Sequence, residues 1–206
     1  CWNNQLTKLD ISKNVNLEGL SCASNPITAL DTSKNTKLEH LSCWNMQLTS
    51  LEVSKNLSLT GLDCSGNQLT TLDVSKNTAL GVLYCSDNQL ETLMLGKNTS
   101  LGELNCATNK LEKLDVSQLS ALDMLECYEN KLKQLDVSQN TELENLECMK
   151  NQLTKLDVSK NLNLVELNCF DNSIKELDIS KNTKLEFVNC WNNQLTKLDI
   201  SKNVNL

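Results

Sequence analysis

The chain is poor in the residues that usually punctuate and wedge a globular fold. Its 206 residues include one Pro, one His, three Trp, two Tyr and two Phe. The single histidine, His40, has no cysteine or aspartate nucleophile pattern around it, which argues against acid–base or covalent catalysis. Basic charge is also scarce. Nineteen Lys and Arg against 26 Asp and Glu leave a formal net charge of -7, whereas nucleic acid or an anionic membrane demands a basic surface. No apolar run approaches the roughly 18 residues of a membrane-spanning segment, so direct insertion is not expected. No signal peptide is visible, and a start at Cys1 rather than Met is expected of a mature or excised segment.

What the chain does have is leucine, asparagine and ten cysteines, at 1, 22, 43, 64, 85, 106, 127, 148, 169 and 190. Every interval is 21 residues, and self-similarity at a fixed period of this size is the signature of stacked repeats. The unit reads L-x-x-L-x-C-x-x-N-x-L-x-x-L-D-V-S-x-N-x-x, as in Leu59, Leu62, Cys64, Asn67, Leu69, Leu72, Asp73, Val74, Ser75 and Asn77. No linker or composition shift interrupts it, so residues 1–206 read as a single array of about nine complete coils without visible caps.

The pattern dictates a solenoid. In Leu62-Asp63-Cys64 apolar and polar residues alternate, which predicts a short strand with one face inside. One coil cannot bury that face alone; stacking coils in parallel, about 4.8 Å apart, makes the leucines continuous. Leu72-Asp73-Val74 alternates again and points Leu and Val inward from the opposite side. The short stretch between Leu69 and Leu80 leaves little room for a helix, so that side is expected to be extended or turn-like. The asparagine three residues after each Cys can satisfy the backbone groups where the chain leaves the strand. Met46 interrupts this column, and its coil must meet the same need in another way.

Ten cysteines raise the question of bridges or metal. Cysteines on adjacent parallel strands point the same way about 4.8 Å apart, too far and too parallel for an unstrained disulfide. No C-x-x-C pair offers zinc a tetrahedral set. The column is expected to be reduced, buried thiols acting as small hydrophobes, with no metal and no cofactor.

The L-x-x-L-x-x-x-x-N-x-L core resembles leucine-rich-repeat proteins. The 21-residue period, the Cys in a leucine position and the L-D-V-S-x-N closure are similar to the internalin J type of surface protein from Listeria and related bacteria. The resemblance implies a leucine-rich-repeat solenoid with a parallel β-sheet on its concave face and an extended, turn-like convex side. It also implies an exported protein at the bacterial cell surface, whose repeats recognise a protein, glycoprotein or glycan of a host or neighbouring cell, as in a mucin-binding adhesin.

Inside positions of a repeat protein are fixed by packing, so the outward strand positions carry the information about partners. All the aromatic residues fall there: Trp2, Trp44, Tyr84, Tyr128, Phe170, Phe187 and Trp191. Met124 and Met149 join them, with His40 and the carboxylates Asp63, Glu103, Glu126, Glu147 and Glu166. Such aromatics and methionines dominate binding hot spots. These fifteen residues are the candidate ligand-binding face, set against the blander reading that the aromatics merely stack over strand edges. Asp87, Glu129 and Asp171 add acid to the face and Lys150 is its one cation, which suits a glycan or a basic protein patch.

Two weaker signals have structural readings. The Asp10, Asp31, Asp73, Asp115, Asp136, Asp157, Asp178 and Asp199 column is expected to be solvated turn residues rather than a cation site. The sequons at Asn56 and Asn98 are expected by chance in an Asn-rich repeat.

Residues 1–17 recur unchanged as residues 190–206, nine coils later. A recent duplication, a window on a longer filament or a segment cut with overlapping ends would each produce this. With no polar cap on either terminal coil, end-to-end self-association is expected. The readings that remain are an adhesin-type binding module and, as the alternative, a spacer or self-associating filament without a specific ligand.

Overall fold

The computed structural model describes residues 1–206. Eleven three-residue strands and no helix make up its regular structure: β1 Gly19–Ser21, β2 His40–Ser42, β3 Gly61–Asp63, β4 Thr71–Asp73, β5 Val82–Tyr84, β6 Thr92–Met94, β7 Glu103–Asn105, β8 Met124–Glu126, β9 Asn145–Glu147, β10 Glu166–Asn168 and β11 Phe187–Asn189. Nine of them form one parallel sheet in the order β1-β2-β3-β5-β7-β8-β9-β10-β11. Each strand pairs with the next at the same place in the repeat, Leu62 opposite Leu83 and Leu83 opposite Leu104. The molecule is the expected leucine-rich-repeat solenoid, with a parallel sheet on one side and extended, helix-free chain on the other.

The strand ends one residue earlier than the alternation suggests, at Asp63 rather than Cys64. The ladder nonetheless runs on past it, because the Cys64 amide donates to the carbonyl of Tyr84 in the following coil at 2.8 Å. On the opposite side the alternation holds: Leu72 and Val74 are buried around an exposed Asp73. There β4 and β6 pair into a second, two-stranded parallel sheet.

Forty-seven buried residues form one continuous apolar cluster. Eight cysteines, Cys22 through Cys169, are buried in it, while Cys1 is exposed and Cys190 half-buried, and all ten are free thiols. Burial pushes the Cys106 thiol up to about 12, so it stays protonated and unreactive near neutrality. Leucine in these columns would add volume to close-packed stacks.

Two asparagine columns tie the coils together where the backbone leaves regular structure. After the strand, Asn67 Nδ2 donates to the carbonyls of Cys43 and Cys64, both at 2.9 Å, and its Oδ1 accepts the Leu48 amide. At the interruption, Met46 is buried. The Ile27 amide, which would have bonded an asparagine there, turns to the carbonyl of Asn25 at 2.8 Å.

The second column, in the S-x-N segment, has a role that sequence pattern alone did not disclose. Asn77 Nδ2 donates to Val53 and Asn56 carbonyls of the preceding coil at 3.0 and 2.9 Å, and Asn161 and Asn182 repeat the arrangement. Leu119 replaces one member and cannot reach back to Leu95. Asn98 fills in, bonding the Leu95 carbonyl within its own coil at 2.7 Å. Asn56 and Asn98 are fully buried, so neither sequon presents an acceptor for a glycan.

The aspartate column on this side is turn chemistry, as expected. Each carboxylate accepts the amide of the serine two residues on, at 2.9 Å for Asp73–Ser75 and for Asp157–Ser159. Those bonds, together with the serine side chains, hold the carboxyls below the usual aspartate range.

Candidate ligand-binding face

Three lateral rows make up the outward side of the large sheet. The first strand position runs Gly19, His40, Gly61, Val82, Glu103, Met124, Asn145, Glu166, Phe187. The third runs Ser21, Ser42, Asp63, Tyr84, Asn105, Glu126, Glu147, Asn168, Asn189. The residues after each Cys form the last row, with Trp2, Trp44, Tyr128, Met149, Phe170 and Trp191 at its larger positions. All fifteen residues expected at a binding face therefore lie in these rows. Their exposure differs: Trp2, His40, Glu166, Phe187 and Trp191 are exposed and the other ten are half-buried. Ala23, the residue after Cys22 in the last row, is buried.

The rows do not form one uniform patch. Ser65, Ser86 and Ala107 separate Trp2 and Trp44 from the run Tyr128, Met149, Phe170, Trp191. Within that run Phe170 and Trp191 stack with centroids 4.9 Å apart and planes at 11°.

Beside that run, on the strands of largely the same coils, lies a band of carboxylates. Glu126 and Glu147 sit directly opposite each other on β8 and β9. Burial, the neighbouring Glu147 and then Glu103 push the Glu126 carboxyl up, against the Asn105 amide that donates to it. Burial and Glu166 push Glu147 up in turn. Asp123, just before β8, is raised by burial, Glu103 and Glu144. Asp123 and Glu144 were not among the candidate residues, because each precedes its strand and looks like loop; acid at the same place in successive coils was the available signal. Tyr84 donates its phenol proton to Glu103, and that bond, with burial, raises the phenol to about 12. Burial and then Glu126 raise Tyr128. The one ion pair of the molecule joins Lys150 to Glu129 at the corner after the Cys row, so no cation answers the carboxylates on the strands.

At the other end of the sheet the two strand rows are nearly bare. Gly19 and Gly61 flank His40 in register on the neighbouring strands. With Ser21, Ser42, Asp63 and Tyr84 they leave an open groove of about 670 Å³. Glycine makes the space: a Cβ on Gly19 would meet nothing within 4 Å, whereas one on Gly61 would come within 3.1 Å of His40 Nδ1. These glycines and serines are easily passed over in a sequence, since what matters is the side chain they omit.

No His, Cys, Asp and Glu grouping is arranged to hold a metal ion. No helix is long and apolar enough to cross a membrane.

No family model and no curated protein match the sequence. Solved structures do. The functional domain of InlJ from Listeria monocytogenes, which includes a cysteine ladder, matches the whole chain at 36% identity with a TM-score of 0.90. The match takes in 51% of that domain, so the chain spans about half of its length. A leucine-rich-repeat protein of Leptospira interrogans matches 98% of the chain, and 63% of its own length, at 27% identity and a TM-score of 0.77. The leucine-rich-repeat ectodomain of the Arabidopsis thaliana receptor kinase GASSHO1/SCHENGEN3, solved in complex with CASPARIAN STRIP INTEGRITY FACTOR 2, matches 90% of the chain at 25% identity and a TM-score of 0.81. A quarter of that ectodomain is covered.

Proposed function

Because the chain is an internalin-like leucine-rich-repeat solenoid with a cysteine ladder, we propose that it is a non-catalytic, adhesin-type binding domain of a bacterial surface protein. Residues 1–206 act as one array outside the cell, and the strand face binds a protein, glycoprotein or glycan of a host or neighbouring cell. Trp44, Tyr84, Tyr128, Met149, Phe170, Phe187 and Trp191, with Trp2 and Met124, supply its apolar contacts. His40, Asp63, Glu103, Glu126, Glu147 and Glu166 supply its polar ones.

The observation that carries this reading is the Glu126–Glu147 pair. Two carboxylates face each other on adjacent strands, are raised by burial and by nearby acids, Glu147 acting on Glu126 and Glu166 on Glu147, and have no cation opposite. Like charges so placed oppose folding. A sheet that needs only to hold itself together has no use for them, whereas a face shaped for a partner does. That the plant ectodomain was solved in a complex accords with use of this fold for recognition.

The test is a screen of immobilised glycans, mucins and proteins, basic ones among them, with the wild type and a Trp44→Ala/Tyr128→Ala/Phe170→Ala variant. A ligand whose binding falls at least about tenfold, the loss of one or two hot-spot residues, supports the face. Unchanged binding, or no ligand, sinks it.

A second reading rests on the repeated segment. The coil 190–206 has the sequence of the coil 1–17, on which the coil starting at Cys22 packs. A second copy of the chain could supply such a coil and extend the array. Light scattering over a concentration series tests it: mass rising with concentration supports self-association, and a constant monomer mass opposes it.

A further inference from the structure

We infer that the groove between His40 and Tyr84 seats a lysine or arginine side chain of a basic polypeptide that lies across the strands. This rests on the binding reading above and narrows it to one partner chemistry.

The groove has the shape for a long, thin side chain. Gly61 contributes bare backbone beside His40, and Val82 takes the equivalent position on the next strand. A lysine or arginine stem is an apolar rod that lies along such a surface while its head reaches for polar groups. The groove ends at Asp63 and Tyr84, partners in register on β3 and β5. Asp63 Oδ1 accepts the Ser65 amide at 3.1 Å, and its other carboxylate oxygen has no hydrogen bond. Tyr84 is held by its bond to Glu103, which places a ring and a second carboxylate at the same point. An aromatic ring between two acids is a favourable surround for a cation.

Charge selects the occupant. Beyond the groove the face continues acidic through Glu103, Glu126, Glu147 and Glu166, and its only lysine, Lys150, is already paired with Glu129. A basic segment crossing the sheet would bring cations to carboxylates that have none, and would relieve the repulsion between Glu126 and Glu147. A neutral saccharide would leave that repulsion in place.

The test uses a fluorescein-labelled peptide of alternating lysine and glycine, a matched glutamate–glycine peptide and a neutral chitooligosaccharide, read by fluorescence anisotropy and, for the sugar, calorimetry. The whole chain is compared with Gly61→Val, Asp63→Asn and Glu126→Gln/Glu147→Gln variants. The strand accepts valine at this place, as at Val82 one coil later, and the exposed His40 ring, 3.1 Å from the added Cβ, has only to shift slightly. Asparagine can keep the turn that Asp63 makes, as Asn105 does by accepting the Ala107 amide at 3.1 Å. Thermal melts confirm that each variant is folded. The expected result is binding of the lysine peptide alone, weakened about tenfold or more by Gly61→Val and by Asp63→Asn, and weakened by salt at about 0.5 M, where screening shortens to a few ångströms. If the lysine peptide fails to bind, or binds Gly61→Val and Asp63→Asn as it binds wild type, the groove assignment is wrong. If it fails while a glycan or mucin still depends on Trp44, Tyr128 and Phe170, this inference falls and the binding function stands.

Discussion

The two sides of each coil treat carboxylates in opposite ways. On the turn side Asp73, Asp115 and Asp157 each accept a serine amide and are held below their ordinary range. On the strand side Asp123, Glu126 and Glu147 are raised, chiefly by burial, and repel their neighbours. The same chemical group therefore supports the fold at one edge of the coil and opposes it at the other. Acid that supports the fold needs no partner to explain it. Acid that strains the fold accords with the proposal that this side serves a partner, and the same side holds every aromatic ring of the chain.

The sharpest way to break the comparison is to remove a turn-side group with only a structural job. Asn161→Ala deletes bonds to the Val137 and Asn140 carbonyls, both buried. Urea denaturation should show a loss of about 1–3 kcal/mol, roughly 0.5–1.5 for each of the two bonds lost, since both carbonyls keep a backbone donor, the amides of Asn140 and Leu143. A loss well under that would mean the column is decorative.

The strand side should respond with the opposite sign. Glu126→Gln/Glu147→Gln removes two facing charges without changing shape. Stability at pH 7 should rise by a few tenths of a kcal/mol to about 1, as for relief of like charges across a strand pair. If the double variant is less stable than wild type, the carboxylates are structural and the case for a functional face weakens.

pH should separate the two sides within one protein. Raised groups hold protons in the folded state that the unfolded chain would release, so their penalty at neutral pH fades as pH falls from 7 toward the ordinary glutamate value of 4.5. Depressed aspartates stabilise above their ordinary value of 3.8, and that contribution is lost as pH falls further through their folded range. The melting temperature should therefore climb on mild acidification and drop below about pH 4. In the double glutamine variant the climb should shrink while the drop remains, and a profile unchanged by the substitutions would contradict the assignment.

The smallest effect expected is that of Asp157→Ala. It removes one exposed turn bond to Ser159 and should lower stability by about half a kcal/mol, with water and salt screening most of the interaction. Asp157→Asn, which keeps an acceptor, should lose less.

Most of the architecture could be read from the chain because the period of 21 fixes which residues must face inward. Leu62, Cys64, Leu69, Leu72 and Val74 are all buried as that pattern requires. The aspartate column was legible too, since Asp followed two residues later by Ser is itself a turn signal. Less legible was the left-handed corner two residues after each Cys. Nine non-glycine residues there adopt a φ near +50°. Gly66 and the Asn and Asp residues, Asn3, Asn45, Asp87, Asp171 and Asn192, suit it, but Ser24, Thr108, Glu129 and Lys150 give no sign of it. The groove was hidden for a related reason. Gly19 and Gly61 are 42 positions apart in the chain, and their effect depends on His40 standing between them in the sheet. The face itself was visible as a set of residues, but its division into a bare end, an acidic band and an aromatic run depends on which residues become neighbours across strands.

One feature of the hydrogen bonding bears on inheritance rather than on physics. Every bond between coils joins residues 19 to 24 apart, so no coil depends on any but its immediate neighbours. A recombination event that drops or copies 21 codons in frame would leave each remaining junction with the same contacts it had before. The gene can thus lengthen or shorten the array in whole steps without inventing a new interface. The segment shared by residues 1–17 and 190–206 is the kind of mark such copying leaves. Each added coil would also lengthen the face by one strand, so reach and partner footprint can be tuned by counting coils, separately from the slow substitution of side chains.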